Sequence, residues 1–400
     1  MLVSYIQNLE KIGYAPTSKD VRHMAFTFAE KKNGLKCRFK KDVQLAGYDW
    51  FKLFLRRHPT LSMRVAQGRS IARSLGMSHN EVDPYFKLLG ETLEKHNLLD
   101  KPGKIFNMDE TGLQLCNKPD KVVATKGSKD VQSVTSAEKG ETISIIACCN
   151  AEGNYLPPYV IFKGKNKKKE FEDNMPPGST VVISPDSAYV KSSIFASWIK
   201  RHFLPRKGPG PVVLVLDGHA SHCSDVDMLD FLAENDIHVL CLPSHTKHWL
   251  QPLDRSFFKP LKTYWNSACG QWIRNHPGRR ITRYQFGELL NQAWKQAATN
   301  QNAVSGFEAC GIFPLNPDKI PDYAYVLSEQ SDQHAETLVH IVAENSEDPV
   351  EPEDENTDLN RTISFEDIVP LPSISSPSRP RPRKQHAELL TSPQFRERKC

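Results

Sequence analysis

Three aspartates stand where the surrounding pattern holds a carboxylate rigidly. Asp217 ends Val212-Val-Leu-Val-Leu-Asp217, an apolar run bounded by Gly and Pro with the length and composition of a buried strand. Asp109 ends Ile105-Phe-Asn-Met-Asp109, and Asp254 lies in Leu250-Gln-Pro-Leu-Asp254, where Pro252 opens a helix. Side chains on stiff elements keep catalytic geometry better than side chains on loops. Phosphodiester cleavage at neutral pH needs an activated water and a stabilised leaving oxygen. Two Mg²⁺ ions about 3.5–4 Å apart supply both. Mg²⁺ takes few carboxylates and fills its other positions with water and phosphate oxygens. Asp109, Asp217 and Asp254 are therefore expected to be metal ligands and catalytic residues, with Mg²⁺ as the cofactor and Mn²⁺ as its alternative. Asp109 or Asp254 taken alone reads as a helix cap; the three together point to metal.

Neighbouring residues allow other chemistries. His219 and His222 follow Asp217 and are expected to support the site, orienting it or approaching DNA phosphate. With His238, Cys241, His245 and His248 they give His-x-x-His and His-x-x-Cys spacings, but no closed Cys₂His₂ zinc pattern. A Ser–His–Asp hydrolase lacks its Gly-x-Ser-x-Gly turn. Gly164-Lys-Asn-Lys-Lys-Lys169 is a basic loop without the Gly-Lys-Ser/Thr ending of a phosphate-binding loop. Arg274, Arg279, Arg280 and Arg283 form a second positive cluster; for both, phosphate contact and a solvated face are open.

The elements that must position the acids follow a mixed α/β order. Strands are expected up to Asp109, over Val122–Thr125 and Thr142–Cys148, and over Leu156–Phe162 after a hairpin turn at Asn150–Gly153. A helix over Ser193–Phe203 precedes the central strand. A helix over Asp227–Asn235, a strand over His238–Leu242 and a long helix from Pro252 through Trp265 follow. This layout matches ribonuclease H-like nucleases, in which carboxylates from the first strand, a later adjacent strand and a following helix meet at one sheet edge.

Charge is distributed unevenly over the 400 residues, although the net value is only +5. Residues 1–75 hold 15 Lys and Arg against five acidic residues, a balance that favours a polyanion. Leu2, Ile6, Leu9 and Ile12 recur at helical spacing from the first residue, which hints that more chain lies upstream. Thr17 and Asp20 form a capping box for a second helix. Gly47–His58 gives a third, with Trp50 and Phe54 on its apolar face. The three fit a helix-turn-helix. Its expected DNA contacts are Lys36, Arg38, Lys40, Lys41, Lys52, Arg56 and Arg57, with Arg69 and Arg73 beyond. A solvated bundle is the competing reading. Residues 76–104 read as a linker helix. Residues 322–400 read as a disordered tail, acidic and then basic: 324–370 hold 13 acidic residues and one Arg, and 371–400 hold seven basic and two acidic. Such a tail can bind other proteins, and Arg379-Pro-Arg-Pro-Arg-Lys384 resembles a nuclear-import signal. Nine cysteines without a Cys-x-x-Cys pair suggest free thiols in a reducing compartment. No apolar run approaches the roughly 20 residues of a membrane helix, so no membrane partner is expected.

Asn107-Met-Asp-Glu-Thr-Gly-Leu113, Leu216-Asp-Gly-His-Ala-Ser-His222, Gln251-Pro-Leu-Asp254 with Phe258-Lys-Pro-Leu-Lys262, and Phe307–Pro317 resemble motifs of the pogo/Tigger branch of the mariner transposase superfamily. This is a DDE superfamily of endonucleases whose relatives include jerky-type proteins and centromere protein B. Gly47, Trp50, Phe54, Arg57 and His58 resemble the second helix-turn-helix of the centromere protein B type. The resemblance spans about residues 1–321. It implies a helix-turn-helix DNA-binding domain over 1–75 and a ribonuclease H-like catalytic domain over 105–321. It puts Asp109, Asp217 and Asp254 on the catalytic triad, with Asp rather than Glu at the third position. It implies double-stranded DNA as substrate, strand cleavage followed by strand transfer, a nuclear location and room for a homodimer. The family usually has two tandem helix-turn-helix units, and this sequence begins at the second. The alternative is a domesticated transposase relative that binds DNA without cutting it.

Overall fold

The computed structural model describes residues 2–11, 14–31, 39–66, 77–116, 122–128, 130–131, 141–185, 190–217, 226–325, 386–392 and 395. These pack as two units. One holds the N-terminal residues through Ser78 with residues 321–325; the other holds His79–Ile320 with the described residues after 385.

In the N-terminal unit, α1 (Leu2–Lys11), α2 (Ser18–Lys31) and α3 (Tyr48–Arg57) form as the sequence periodicity predicts. The capping box ahead of α2 is present: Thr17 N donates to Asp20 Oδ2 at 2.9 Å, and Asp20 N donates to Thr17 Oγ1 at 3.3 Å. Ile6, Val21, Phe51 and Phe54 make a small core, with half-buried Trp50 stacked on Phe54 at 5.1 Å.

The larger unit is built on one sheet. Its strands are β1 (Ile105–Gln114), β2 (Thr142–Asn150), β3 (Tyr159–Lys163), β4 (Thr180–Ser184), β5 (Val212–Asp217), β6 (Ile237–Leu242) and β7 (Glu388–Leu389), in the order β4-β3-β2-β1-β5-β6-β7. β1 is antiparallel to β2 and parallel to β5, which is parallel to β6. Val212 to Leu216 are buried on both faces, as a continuous apolar run between parallel neighbours requires. Side chains alternate along a strand, so each face draws on every second residue. On one face Phe106, Met108, Leu214 and Leu216 pack against α5 (Ser192–Trp198, continued by a π turn over Ile199–Phe203) and α6 (Val226–Glu234). Asn107, Asp109, Val215 and Asp217 are thereby left to the opposite face. This mixed sheet with its helices is the architecture expected of a ribonuclease H-like core.

Several expected elements differ in the structure. Val122–Thr125 is not a strand: Val122 and Val123 are exposed and make no ladder. The strand expected from Leu156 starts only at Tyr159, because Pro157 and Pro158 have no N–H to give a ladder. β4, parallel to β3, has no counterpart in the expected layout. The long helix expected from Pro252 breaks at Phe257 into α8 (Pro252–Ser256) and α9 (Phe258–Asn275). Pro260 lacks an N–H and would crowd the Ser256 carbonyl in a continuous helix. The expected linker helix, α4 (His79–Lys95), is part of the core unit and buries Val82, Phe86, Leu89 and Leu93. Part of the tail is ordered: β7 covers the edge of β6, and Leu390 and Phe395 join the core. The expected stop of α2 at Asn33-Gly34 and most of the tail lie outside the described residues.

Candidate active site

Asp109 and Asp217 come together through strand register. The parallel β1–β5 ladder pairs Ile105 with Val213, Phe106 with Leu214 and Asn107 with Val215. Carried two residues further, the same offset sets Asp109 level with Asp217. Level residues of parallel neighbours project on the same face, from backbones about 4.8 Å apart.

Asp254 is brought to this place by a polar lock. Asn107 is fully buried, and its amide donates to Val215 O at 3.0 Å and to Gln251 Oε1 at 2.7 Å. Its carbonyl oxygen accepts from Leu253 N at 3.1 Å. Gln251 Nε2 donates to Met108 O at 3.2 Å, and the Gln251 side chain also hydrogen-bonds the Asp109 carboxyl. One buried amide thus joins β1, β5 and the start of α8, and Asp254 sits in the first turn of that helix. α11 (Asn300–Ala309) presses α8 into position: a Cβ at Gly306 would collide with Ser256 Oγ and sit 2.8 Å from Pro252 O.

The electrostatics differ among the three acids. Asp109 is 7% exposed, and burial pushes its pKa up to about 7. Lys247 opposes that rise, Asp254 adds to it, and the Glu110 backbone and Gln251 hydrogen bonds moderate it. Asp217 is half-buried, and its Oδ2 lies 2.9 Å from Lys247 Nζ. Lys247 opens α7 (Lys247–Leu250). Burial works against its charge, yet Asp109, Asp217 and Asp254 together hold its pKa above the ordinary lysine value. Asp254 is exposed. An ammonium therefore sits within the field of all three carboxylates. Among the described residues, no three His, Cys, Asp or Glu side chains approach closely enough to hold a metal ion. The all-oxygen donor set suits a hard cation, but Lys247 stands in its midst.

His219 and His222 lie outside the described residues, as do Lys36, Arg38, Arg69 and Arg73. Lys40, Lys41, Lys52, Arg56 and Arg57 are exposed on the N-terminal unit. The zinc alternative loses two members to other roles: His238 stacks on His96 at 3.6 Å, and Cys241 is buried in the sheet core. Sequence reasoning gave no role to Asn107, Gln251 or Lys247. Asn107 had a usable signal, since it stands two residues before Asp109 and so shares its face. Gln251 had one too, because a residue before proline is held extended and its side chain is placed by that backbone. Lys247 carried none.

Residues 140–307 match the family of DDE superfamily endonucleases. The segment includes Asp217 and Asp254, while Asp109 precedes it. Among curated proteins, the chain is 29% identical over 264 residues to the MFS-type transporter clz9 of Cochliobolus lunatus, covering 64% of this chain and 27% of that one. It is 23% identical over 222 residues to the human pogo transposable element with KRAB domain (52% and 35% covered). With the Mus musculus protein of that name it shares 21% over 328 residues (78% and 51% covered). The chain thus spans about a quarter to a half of the length of these relatives. Among solved structures, the Mos1 strand transfer complex aligns over 77% of this chain and 74% of that chain, at 14% identity and a TM-score of 0.43. The resemblance to pogo/mariner-type transposases drawn from the motifs is borne out. Among the described residues, no helix is long and apolar enough to cross a membrane.

Proposed function

We propose that this chain is a transposase-type DNA endonuclease whose Asp109, Asp217 and Asp254 hold Mg²⁺, or Mn²⁺ in its place, against double-stranded DNA. The observation that carries the reading is the register that levels Asp109 with Asp217 while the Asn107–Gln251 lock holds Asp254 alongside. When bound, the divalent ion supplies an activated water and charge stabilisation at the leaving oxygen. The protein's share is positional. β1 and β5 fix two carboxylates on one face, and the Asn107 amide fixes the approach of the helix that carries the third. Lys247 offsets negative charge among them. The N-terminal helices, with Lys40, Lys41, Lys52, Arg56 and Arg57 exposed, are read as a helix-turn-helix module that grips phosphates. The basic stretch Arg379–Lys384 is read as a nuclear-import signal, so the protein is proposed to act in the nucleus.

A second reading, DNA binding without cleavage, is favoured by the Lys247–Asp217 ion pair, which engages a carboxylate that cleavage needs. One assay decides between them: nicking of supercoiled DNA by the full chain in Mg²⁺, for the wild type and for Asp217→Asn. The endonuclease reading expects nicking in the first and none in the second. Equal behaviour of the two proteins overturns it.

A further inference from the structure

We propose that Lys247 is a resident cation of this site: its ammonium takes one of the two cation positions that three carboxylates would otherwise give to metal, so the chain binds a single divalent ion. This rests on the endonuclease reading and adds to it the number of ions and the residue that sets it.

The geometry is the first argument. Lys247 Nζ lies 2.9 Å from Asp217 Oδ2, and the two side chains are 33% and 21% exposed. A pair so far withdrawn from water is screened less than a surface pair. Its ammonium also feels Asp109 and Asp254, so it belongs to the group rather than to one partner. The second argument is the spacing of the acids. Asp109 and Asp217 are level on adjacent strands, yet no three described acids close into a ligand cluster. An ammonium among them accounts for both facts, because it fills the space where a second ion would draw them together. The third is charge. Three carboxylates carry three negative charges, which one divalent ion and one ammonium neutralise. Two divalent ions beside Lys247 would leave the same site with a positive excess. An ammonium is also a compact point charge with three donors. It can hydrogen-bond a non-bridging phosphate oxygen and offset the negative charge that a second ion would otherwise meet.

The test is Mn²⁺ titration of the full chain, followed by electron paramagnetic resonance. It uses wild type, Asp217→Asn, Lys247→Ala, Lys247→Met and Lys247→Arg. Sites belonging to the acids are those lost in Asp217→Asn, which separates them from ions held by the acidic tail. The expected result is one such site in the wild type and in Lys247→Arg, without exchange coupling. Lys247→Ala and Lys247→Met should each gain a second, exchange-coupled Mn²⁺, with the first bound about tenfold more tightly once the nearby positive charge is gone. Lys247→Met keeps the length of the stem, so a packing defect in the Ala variant cannot imitate the result. A coupled pair already present in the wild type, or Lys247 variants that bind as the wild type does, would overturn the single-ion assignment while leaving the metal site standing. Mn²⁺ binding that Asp217→Asn leaves untouched would overturn both.

Discussion

The two units of this protein use positive charge in opposite ways. On the N-terminal unit the cations lie in water: Lys40, Lys41, Lys52, Arg56 and Arg57 are exposed, and Lys52 keeps only a loose 3.9 Å pairing with Asp49. In the core unit a single lysine is drawn in among three carboxylates, one of them almost wholly buried. Exposed charges are screened by salt and act collectively on a large polyanion, whereas a withdrawn charge acts on its immediate neighbours. The contrast separates grip from chemistry. Changes in the head should alter DNA affinity and its salt dependence while the fold stays intact. Changes in the core should alter stability, cation binding and cleavage.

The largest expected effect sharpens the core side of that contrast. Asp217→Asn should lower Mg²⁺-dependent nicking on the order of 10³-fold while far-UV circular dichroism and DNA affinity stay near wild type. A drop in affinity equal to the drop in cleavage would place Asp217 in binding instead. Next comes the lock. Asn107→Ala leaves Gln251 Oε1, Val215 O and Leu253 N without their partner inside the core. Thermal or urea unfolding should show a loss of about 3 kcal/mol, and an unchanged midpoint would show that the lock is dispensable.

The buried acid gives a pH-dependent prediction. Asp109 keeps its ordinary value of 3.8 when unfolded and titrates near 7 when folded. Between these values the folded state holds a proton that the unfolded state has released, so stability should fall as pH rises from about 4 to 7. Asp109→Asn cannot ionise. It should match the wild type at pH 4 and exceed it by about 3 kcal/mol at pH 8 in a metal-free buffer. Parallel stability curves for the two proteins would mean that the Asp109 carboxyl is better compensated than its burial suggests.

The smallest effect tests the head. Arg56→Ala with Arg57→Ala should leave the unfolding midpoint within about 0.5 kcal/mol, because both side chains are exposed. The slope of log affinity against log salt should drop by about two, because each arginine removed leaves one phosphate to its counterion. An unaltered slope would assign DNA binding elsewhere.

How much of this was legible in the sequence depends on how local each determinant is. β5 could be read directly, because a strand buried on both faces has to be apolar throughout, and Asp217 marks its end. The capping box at Thr17 and Asp20 was equally local. Register was not: nothing in Ile105–Asp109 or Val212–Asp217 alone says that they pair with Asp109 level with Asp217. The break at Phe257 was available from Pro260, since the ring four residues after Ser256 forbids a continuous helix. Val122–Thr125 misled because β-branched residues suit an exposed segment as well as a strand when no neighbour pairs with them. Leu390 and Phe395 were hidden by the composition of the tail around them. Lys247 illustrates the limit: its role comes from groups 138, 30 and seven residues away, which only the fold assembles.

The most direct test of the central claim is diffraction from crystals of the full chain soaked in Mn²⁺, read at the manganese absorption edge. The account predicts an anomalous peak about 2.2 Å from carboxylate oxygens of both Asp109 and Asp217. A strongest peak on other residues, with both of these carboxylates bare, would contradict it.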